Sequence, residues 1–247
     1  MAKPTKGGKT VNEHIEILKN ECQNFSIVID KQAEDRFLCY SKMLIDWNNR
    51  INLTAITEPK QIAIKHFIDS LLLLDAVEIK DGDKLLDVGT GAGFPGVPIK
   101  IARPGIELTL LDSLNKRLLF LQDVMREINL EATIIHSRAE EGSRKPALRE
   151  QFDVVTSRAV ANLNLLAEYC LPYVKVGGYF AAMKGPEVDD ELKGAESAIG
   201  ILGGRIEEVK RYKLPDDSRR SIILIRKISK TSDKYPRHGS KIAKKPL

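Results

Sequence analysis

The chain has 247 residues, 43% of them hydrophobic and 30% charged, enough to bury a full core in a globular protein. No apolar run reaches the ~18 residues that span a bilayer, and the opening MAKPTKGGKT has no apolar stretch of the signal-peptide kind. Cys22, Cys39 and Cys170 and four scattered histidines support neither a disulfide framework nor a zinc site, so no membrane partner and no metal are expected, and the cytoplasm is the expected compartment. The net charge of +5 is unevenly placed. Residues 1–10 carry +3 and residues 226–247 carry +7, which leaves −5 on the body. Basic ends on an acidic body suit a polyanionic partner, because each neutralised phosphate releases counterions; solvated tails are the alternative.

In chain order, the first third is helical in pattern. Val11, Ile15 and Leu18 share one face, and a second amphipathic segment runs from Ala33 to Trp47. A polar break at residues 48–54 follows. A third helix starts near Glu58-Pro59, where proline suits a first helical position, and ends before Asp81-Gly82. From Lys84 onward strands and helices alternate: strand Leu85–Val88, helix Val97–Ala102, strand Ile106–Leu111, helix Lys116–Glu127, strand Ala132–Ile135, strand Phe152–Thr156, helix Leu163–Leu171 and strand Gly178–Met183. Such alternation predicts a parallel sheet covered on both faces. After a helix over Glu191–Leu202, strands Arg205–Lys213 and Ser221–Arg226 are joined by a turn too short for a crossover, which forces an antiparallel pair.

Lys84–Gly96, KLLDVGTGAGFPG, passes from an apolar strand through glycines into a helix, the order by which doubly wound α/β domains place a ligand at the carboxyl edge of the sheet. Gly91, Gly93 and Gly96 match the dinucleotide pattern G-x-G-x-x-G. The same stretch is Asp87-x-Gly89-x-Gly91-x-Gly93, which resembles the first motif of methyltransferases that use S-adenosylmethionine (SAM). Phe94 and Pro95 make the turn bulky and remove an N–H donor, which favours SAM over pyrophosphate. An antiparallel pair appended to five parallel strands points the same way, since a dinucleotide domain continues with further βα units.

Other candidates sit at the same sheet edge. Asp112 ends the second strand and suits ribose hydroxyls, or a cap on the helix that follows. Ala139 and Glu140 follow the third strand, where the loop faces an adenine, although a surface acid is the plainer role for a lone Glu. Arg158 follows the fourth strand, where residues facing a transferred methyl group stand; a surface ion pair is its alternative. His66 and Asp69, three apart on one helix face near Lys65, offer either a surface for the polyanionic partner or its target group, or a hydrogen bond between the helical segment and the sheet domain.

At these residues the chain closely resembles the bacterial RsmG family, also called glucose-inhibited division protein B. The matching pieces are Trp47-Asn48 with Asn52-Leu53-Thr54, His66-x-x-Asp69-Ser70, LLDVGTGAGFPGVP over residues 85–98, and Asp112-Ser-Leu-Asn-Lys-Arg117. Arg138-Ala-Glu140, Phe152-Asp153, Ser157-Arg158-Ala159, Lys184-Gly185 and Tyr235-Pro-Arg237 complete them. They span nearly the whole chain. The resemblance implies an α/β fold of the class I SAM-dependent methyltransferase kind, Rossmann-like, with five parallel strands, a C-terminal antiparallel pair and an N-terminal helical cap. The implied organisation is a basic disordered tail at 1–10, the cap at 11–80, the SAM-binding domain at 81–228 and a basic tail at 229–247.

The activity it implies is methylation of N7 of a guanosine in 16S ribosomal RNA of the small subunit; with no dimer surface evident in the sequence, a monomer is expected. Asp87, Gly89, Gly91, Gly93, Phe94, Asp112, Ser113, Leu114, Ala139, Glu140 and Arg158 would hold SAM. Arg237, Lys241, Lys244, Lys245 and His66 would meet RNA. Where relatives often carry Pro-Gly-x-Pro after the C-terminal arginine, this chain has His238-Gly239-Ser240-Lys241-Ile242. N7 of guanine holds an unprotonated lone pair at neutral pH, so no general base is expected and Arg158 serves catalysis by positioning. N7 also lies in the deep groove of A-form RNA, so the target must be unpaired or splayed out.

Overall fold

The structure, a computed structural model, describes residues 7–247. The expected N-terminal tail therefore lies outside the described residues over 1–6, and over 7–10 the expectation of disorder is corrected: these residues open helix α1, Gly7–Asn24. The local reason is the apolar stripe of α1, whose Ile15, Leu18 and Cys22 are buried. Helix α2, Lys31–Asn48, starts where the Asp30 side chain accepts the Ala33 N–H at 2.7 Å, and it buries Phe37, Tyr40 and Leu44 on one face.

The third expected helix divides. α3, Pro59–Ile62, is capped by the Glu58 carboxylate; a π-helical segment covers Ala63–Ile68; and α4 runs from Asp69 to Ala76. A π segment frees backbone carbonyls from the regular ladder and often marks a functional position. This one contains Lys65 and His66.

The sheet follows in chain order: β1 Lys84–Val88, α5 Gly96–Ala102, β2 Glu107–Asp112, α6 Asn115–Glu127, β3 Thr133–His136, α7 Ala139–Gly142, β4 Phe152–Arg158, α8 Leu163–Cys170 and β5 Val174–Lys184. Then come α9 Asp189–Ile201, β6 Gly204–Lys213, β7 Arg219–Lys227 and α10 Gly239–Lys244. The strand order is β3-β2-β1-β4-β5-β7-β6, parallel through β5, with β7 antiparallel to both β5 and β6. Expected and observed architecture agree. β4 runs two residues beyond the expected Thr156, because Ser157 and Arg158 still pair with Ala182 and Met183. β5 begins four residues earlier than expected: Val174 pairs with Phe152 before an irregularity in register, and Gly177 adopts φ +90° within that stretch.

Two apolar layers sandwich the sheet. On one face α5 and α6 pack with the N-terminal helices, through Phe37, Tyr40, Phe67, Leu85, Phe120 and Leu121. On the other, α8 and α9 cover Val155, Phe180, Ile223 and Ile225. The cap thus shares one continuous core with the sheet. Among the described residues no helix is long and apolar enough to cross a membrane.

The C-terminal segment does not leave the body. Lys227 is buried and donates to the Leu171 carbonyl at 2.7 Å, and Arg149 donates to the carbonyls of Thr231 and Tyr235 at 2.8 and 3.0 Å. The segment then crosses the carboxyl edge of the sheet and ends in α10, whose Ile242 is buried.

Candidate functional site

Strand order reverses between β1 and β4, and the glycine turn after β1 lies at that switch point. Gly89, Gly91 and Gly93 all hold positive φ, at 69°, 59° and 99°. Their surroundings differ. A Cβ on Gly93 would approach the Tyr40 hydroxyl and Val97 to 2.7 Å and Leu121 to 2.8 Å, so Gly93 packs into the core and does not line the cavity. Asp87, also expected at the ligand, is corrected likewise. It is fully buried behind the turn, where one carboxylate oxygen accepts the Thr90 hydroxyl at 2.7 Å and the Gly96 N–H at 2.9 Å. Burial raises its pKa to about 6 against these hydrogen bonds, and its second oxygen has no partner. Asp87 shapes the turn from behind.

In front of the turn lies a cavity of about 940 Å³, to which Gly89, Gly91, Phe94, Asp112, Ser113, Ala139, Glu140, Arg158 and His66 all contribute. Leu114 does not line it. Its side chain is 44% exposed, and its N–H donates to Asp112 at 2.8 Å. The other Asp112 oxygen accepts the Gly91 N–H at 2.9 Å and faces Arg117 at 3.4 Å. Asp112 thus braces the approach to α6 without capping it, since the helix starts after Leu114 with no side-chain cap, and because a carboxylate has about four acceptor positions the two backbone bonds leave room for hydroxyls.

The donor set decides the ligand class. The N–H groups of Gly89 and Thr90 go to the Leu111 carbonyl, that of Gly91 to Asp112, those of Gly93 and Phe94 to the Thr90 carbonyl, and that of Gly96 to Asp87; Pro95 has none. A pyrophosphate needs those donors. What the cavity offers instead is carboxylate acceptors, Asp112, Glu140 and Glu141, beside apolar Val88, Phe94, Leu111 and Val160. That fits the hydroxyls, the cationic groups and the aromatic ring of SAM.

Arg158 ends β4 and faces the cap. Its guanidinium donates to Asp69 at 2.8 Å and to the Lys65 carbonyl at 3.1 Å, comes within 3.4 Å of His66 Nδ1, and lies 5.0 Å over the Phe94 ring. Asp69 also meets Arg220 at 3.2 Å. His66 is 8% exposed, stacks on Phe94 at 4.4 Å, and has Nε2 2.9 Å from the Thr54 hydroxyl. Burial, then the charge of Arg158, lowers its pKa to about 3, so it is neutral. Of the two sequence-level alternatives for His66 and Asp69, both side chains make the bonds that join cap to sheet. A second cavity of about 360 Å³ shares His66, Arg158 and Ala159 with the first and adds Lys65, Lys184 and Arg220.

Arg237 is held inside the chain. Expected to hold RNA phosphates, its guanidinium instead grips the buried Glu168 carboxylate, with Nη2 at 2.6 Å and Nε at 2.9 Å, and donates to the Lys245 carbonyl at 2.9 Å. Lys241, Lys244 and Lys245 are exposed. Residues that sequence reasoning missed include Val160, Tyr169 and Gly239, which line the larger cavity, and Tyr40, whose hydroxyl donates to the Ala92 carbonyl of the turn. Tyr40 lies 52 positions from that carbonyl, and no local pattern marks such a contact.

A family model described as GidB, rRNA small subunit methyltransferase G, matches residues 33–223. A ribosomal RNA small subunit methyltransferase G from Clostridium kluyveri is 48% identical over 236 residues, covering 95% of this chain and 99% of that protein. One from Alkaliphilus metalliredigens is 47% identical over 233 residues, covering 94% and 98%. Among solved structures, precorrin-6y C5,15-methyltransferase from Geobacter metallireducens superposes with a TM-score of 0.51 at 16% identity, covering 72% of this chain and 92% of that one. At that identity the likeness concerns the fold alone.

Proposed function

Because the chain belongs to the GidB family of rRNA small subunit methyltransferases G, we propose that it moves the methyl group of SAM to N7 of one guanosine in 16S ribosomal RNA. The family match carries the RNA substrate, and the observation that carries the cofactor is the glycine turn. Six of its seven N–H groups, from Gly89 to Gly96, are consumed internally while Asp112 and Glu140 face the cavity, which suits SAM better than a phosphate ligand.

SAM, when bound, supplies a methyl carbon activated by its neighbouring sulfonium. The chain's own residues position the partners. Gly89 and Gly91 keep the cavity floor low, Asp112 and Glu140 accept hydrogen bonds from the nucleoside, and Phe94 forms an apolar wall. The target base enters the smaller cavity, whose cations Lys65, Lys184 and Arg220 are already paired with Asp216, Glu191 and Asp69 and so shape its walls, leaving the negative backbone to the terminal lysines. Arg158 stands between the two cavities and orients the base, fixed in turn by Asp69 and the Lys65 carbonyl. No side chain need remove a proton, since N7 is unprotonated at neutral pH. Positioning of this kind can supply roughly 7 to 11 kcal/mol at best. Neutral His66, held against Phe94, supports the wall and takes no proton. The exposed Lys241, Lys244 and Lys245 hold RNA phosphates, and the enzyme works in the cytoplasm, where its substrate is made.

The test is transfer of labelled methyl from SAM to 16S RNA and to assembled small subunits, followed by borohydride and aniline cleavage to map N7-methylguanosine. One cleavage site is expected. Transfer with no cleavage would move the reaction to another atom, and no transfer to either substrate would move it to another acceptor.

A further inference from the structure

Glu168 is the one acid on α8, and its placement is unusual. The residue is 0% exposed, yet every hydrogen bond it accepts comes from Arg237, through the backbone N–H at 2.7 Å, Nε at 2.9 and 3.1 Å, and Nη2 at 2.6 Å. A carboxylate kept from water needs such saturation, and removing its partner is costly. Arg237 is the last residue but one before α10. Its remaining donor reaches forward to the Lys245 carbonyl at the far end of that helix, so one side chain braces both ends of the segment.

What the braced segment does is visible from the cavity. His238, Gly239, Ser240 and Ala243 form its wall opposite the glycine turn, beside Glu140 and Tyr169. Gly239 lies so close to Glu140 that an added Cβ would collide with the carboxylate. The sequence neighbour of Glu168, Tyr169, lines the same cavity, whereas Glu168 itself does not.

We infer that Glu168 is a positioning residue for the methyl donor: by holding Arg237 it seats the C-terminal segment as a wall of the cofactor cavity, so SAM affinity depends on a carboxylate that never touches SAM. This rests on the assignment of the larger cavity to SAM. Lys241, Lys244 and Lys245 stand on the outer side of the same wall, so the element that encloses the donor also faces the RNA.

The experiment compares the full-length protein with Glu168→Gln and, as a variant that leaves the ion pair intact, Gly239→Ala. SAM binding is measured by calorimetry, amide exchange is followed over residues 238–245, and KM for SAM and kcat are determined separately. Glu168→Gln is expected to speed exchange in that segment and raise the SAM Kd about tenfold, with KM rising more than kcat falls. Gly239→Ala is expected to weaken SAM binding with Glu168 and Arg237 untouched. A merely structural ion pair would lower the unfolding midpoint and leave the SAM Kd of the folded protein unchanged. Unaltered SAM affinity in Gly239→Ala, or in a Glu168→Gln protein whose segment exchanges faster, overturns the inference. Absence of SAM binding by the unmodified protein overturns the cofactor assignment and the inference with it.

Discussion

Asp69 and Arg158 join the helical cap to the sheet. The carboxylate is 2.8 Å from the guanidinium and its other oxygen is 3.2 Å from Arg220, so one buried acid on α4 fixes a cation at the tip of β4 and another on β7. Removing it leaves two partly buried cations facing each other. Asp69→Ala is expected to cost about 3 kcal/mol of stability. It also releases Arg158, and a misplacement of about 1 Å can cost roughly 100-fold in rate. Urea unfolding and single-turnover methyl transfer at saturating SAM check both, and a variant that transfers methyl at the normal rate removes Arg158 from the positioning role.

Two of the three turn glycines, Gly91 and Gly93, separate in their response to substitution. Gly91→Ala meets only the Gly89 carbonyl at 4.0 Å, so its cost is the left-handed backbone alone, about 1 to 2 kcal/mol. Gly93→Ala adds overpacking against Tyr40, Val97 and Leu121, about 1 to 3 kcal/mol more. Chemical denaturation of the two proteins should rank them in that order. Equal losses would mean the packing around Gly93 gives way.

Stability should carry the signature of His66. Its pKa falls from 6.5 to about 3 on folding, so below pH 6.5 the unfolded chain takes up a proton that the folded state refuses. Its contribution is complete above pH 6.5 and is lost as pH falls from there toward 3. The stability gap between the native protein and His66→Gln is therefore expected to shrink by about 2 kcal/mol between pH 8 and pH 5. A constant gap would show that His66 titrates normally.

Asp87 has the opposite sign. Its pKa rises from 3.8 to about 6, so its proton stabilises the fold fully below pH 3.8, and that contribution is lost as pH rises through 6. Asp87→Asn keeps a neutral acceptor for Thr90 and Gly96 and is expected to gain on the native protein as pH rises from 4 to 7. Unfolding curves across that range decide it; a gain in the acid direction would contradict the burial argument.

Lys241, Lys244 and Lys245 together should set part of the salt dependence. Replacing all three with Ala is expected to reduce the slope of log K for RNA against log salt by about 2, at roughly 0.7 per phosphate contact on single strands. Filter binding across salt concentrations measures it. An unchanged slope places the phosphate contacts elsewhere.

The sequence determined what local chemistry determines. Alternating apolar strands and amphipathic helices set a parallel sheet, and a turn too short for a crossover forced the final antiparallel pair, because neither depends on distant residues. The glycine turn and the acid at the end of β2 were legible for the same reason: a tight turn needs positive φ whatever surrounds it. Tertiary structure decided which side of that turn each residue serves. Asp87 and Gly93 share the motif with Gly89 and Gly91, yet one braces the turn from behind and the other packs on Tyr40, a division set by the cap helix pressed against the loop. Arg237 shows the same limit. Its charge and terminal position suggested phosphate, but the buried Glu168, 69 residues away, takes the guanidinium first, because an unpaired carboxylate in the core costs more than an arginine withdrawn from the surface returns.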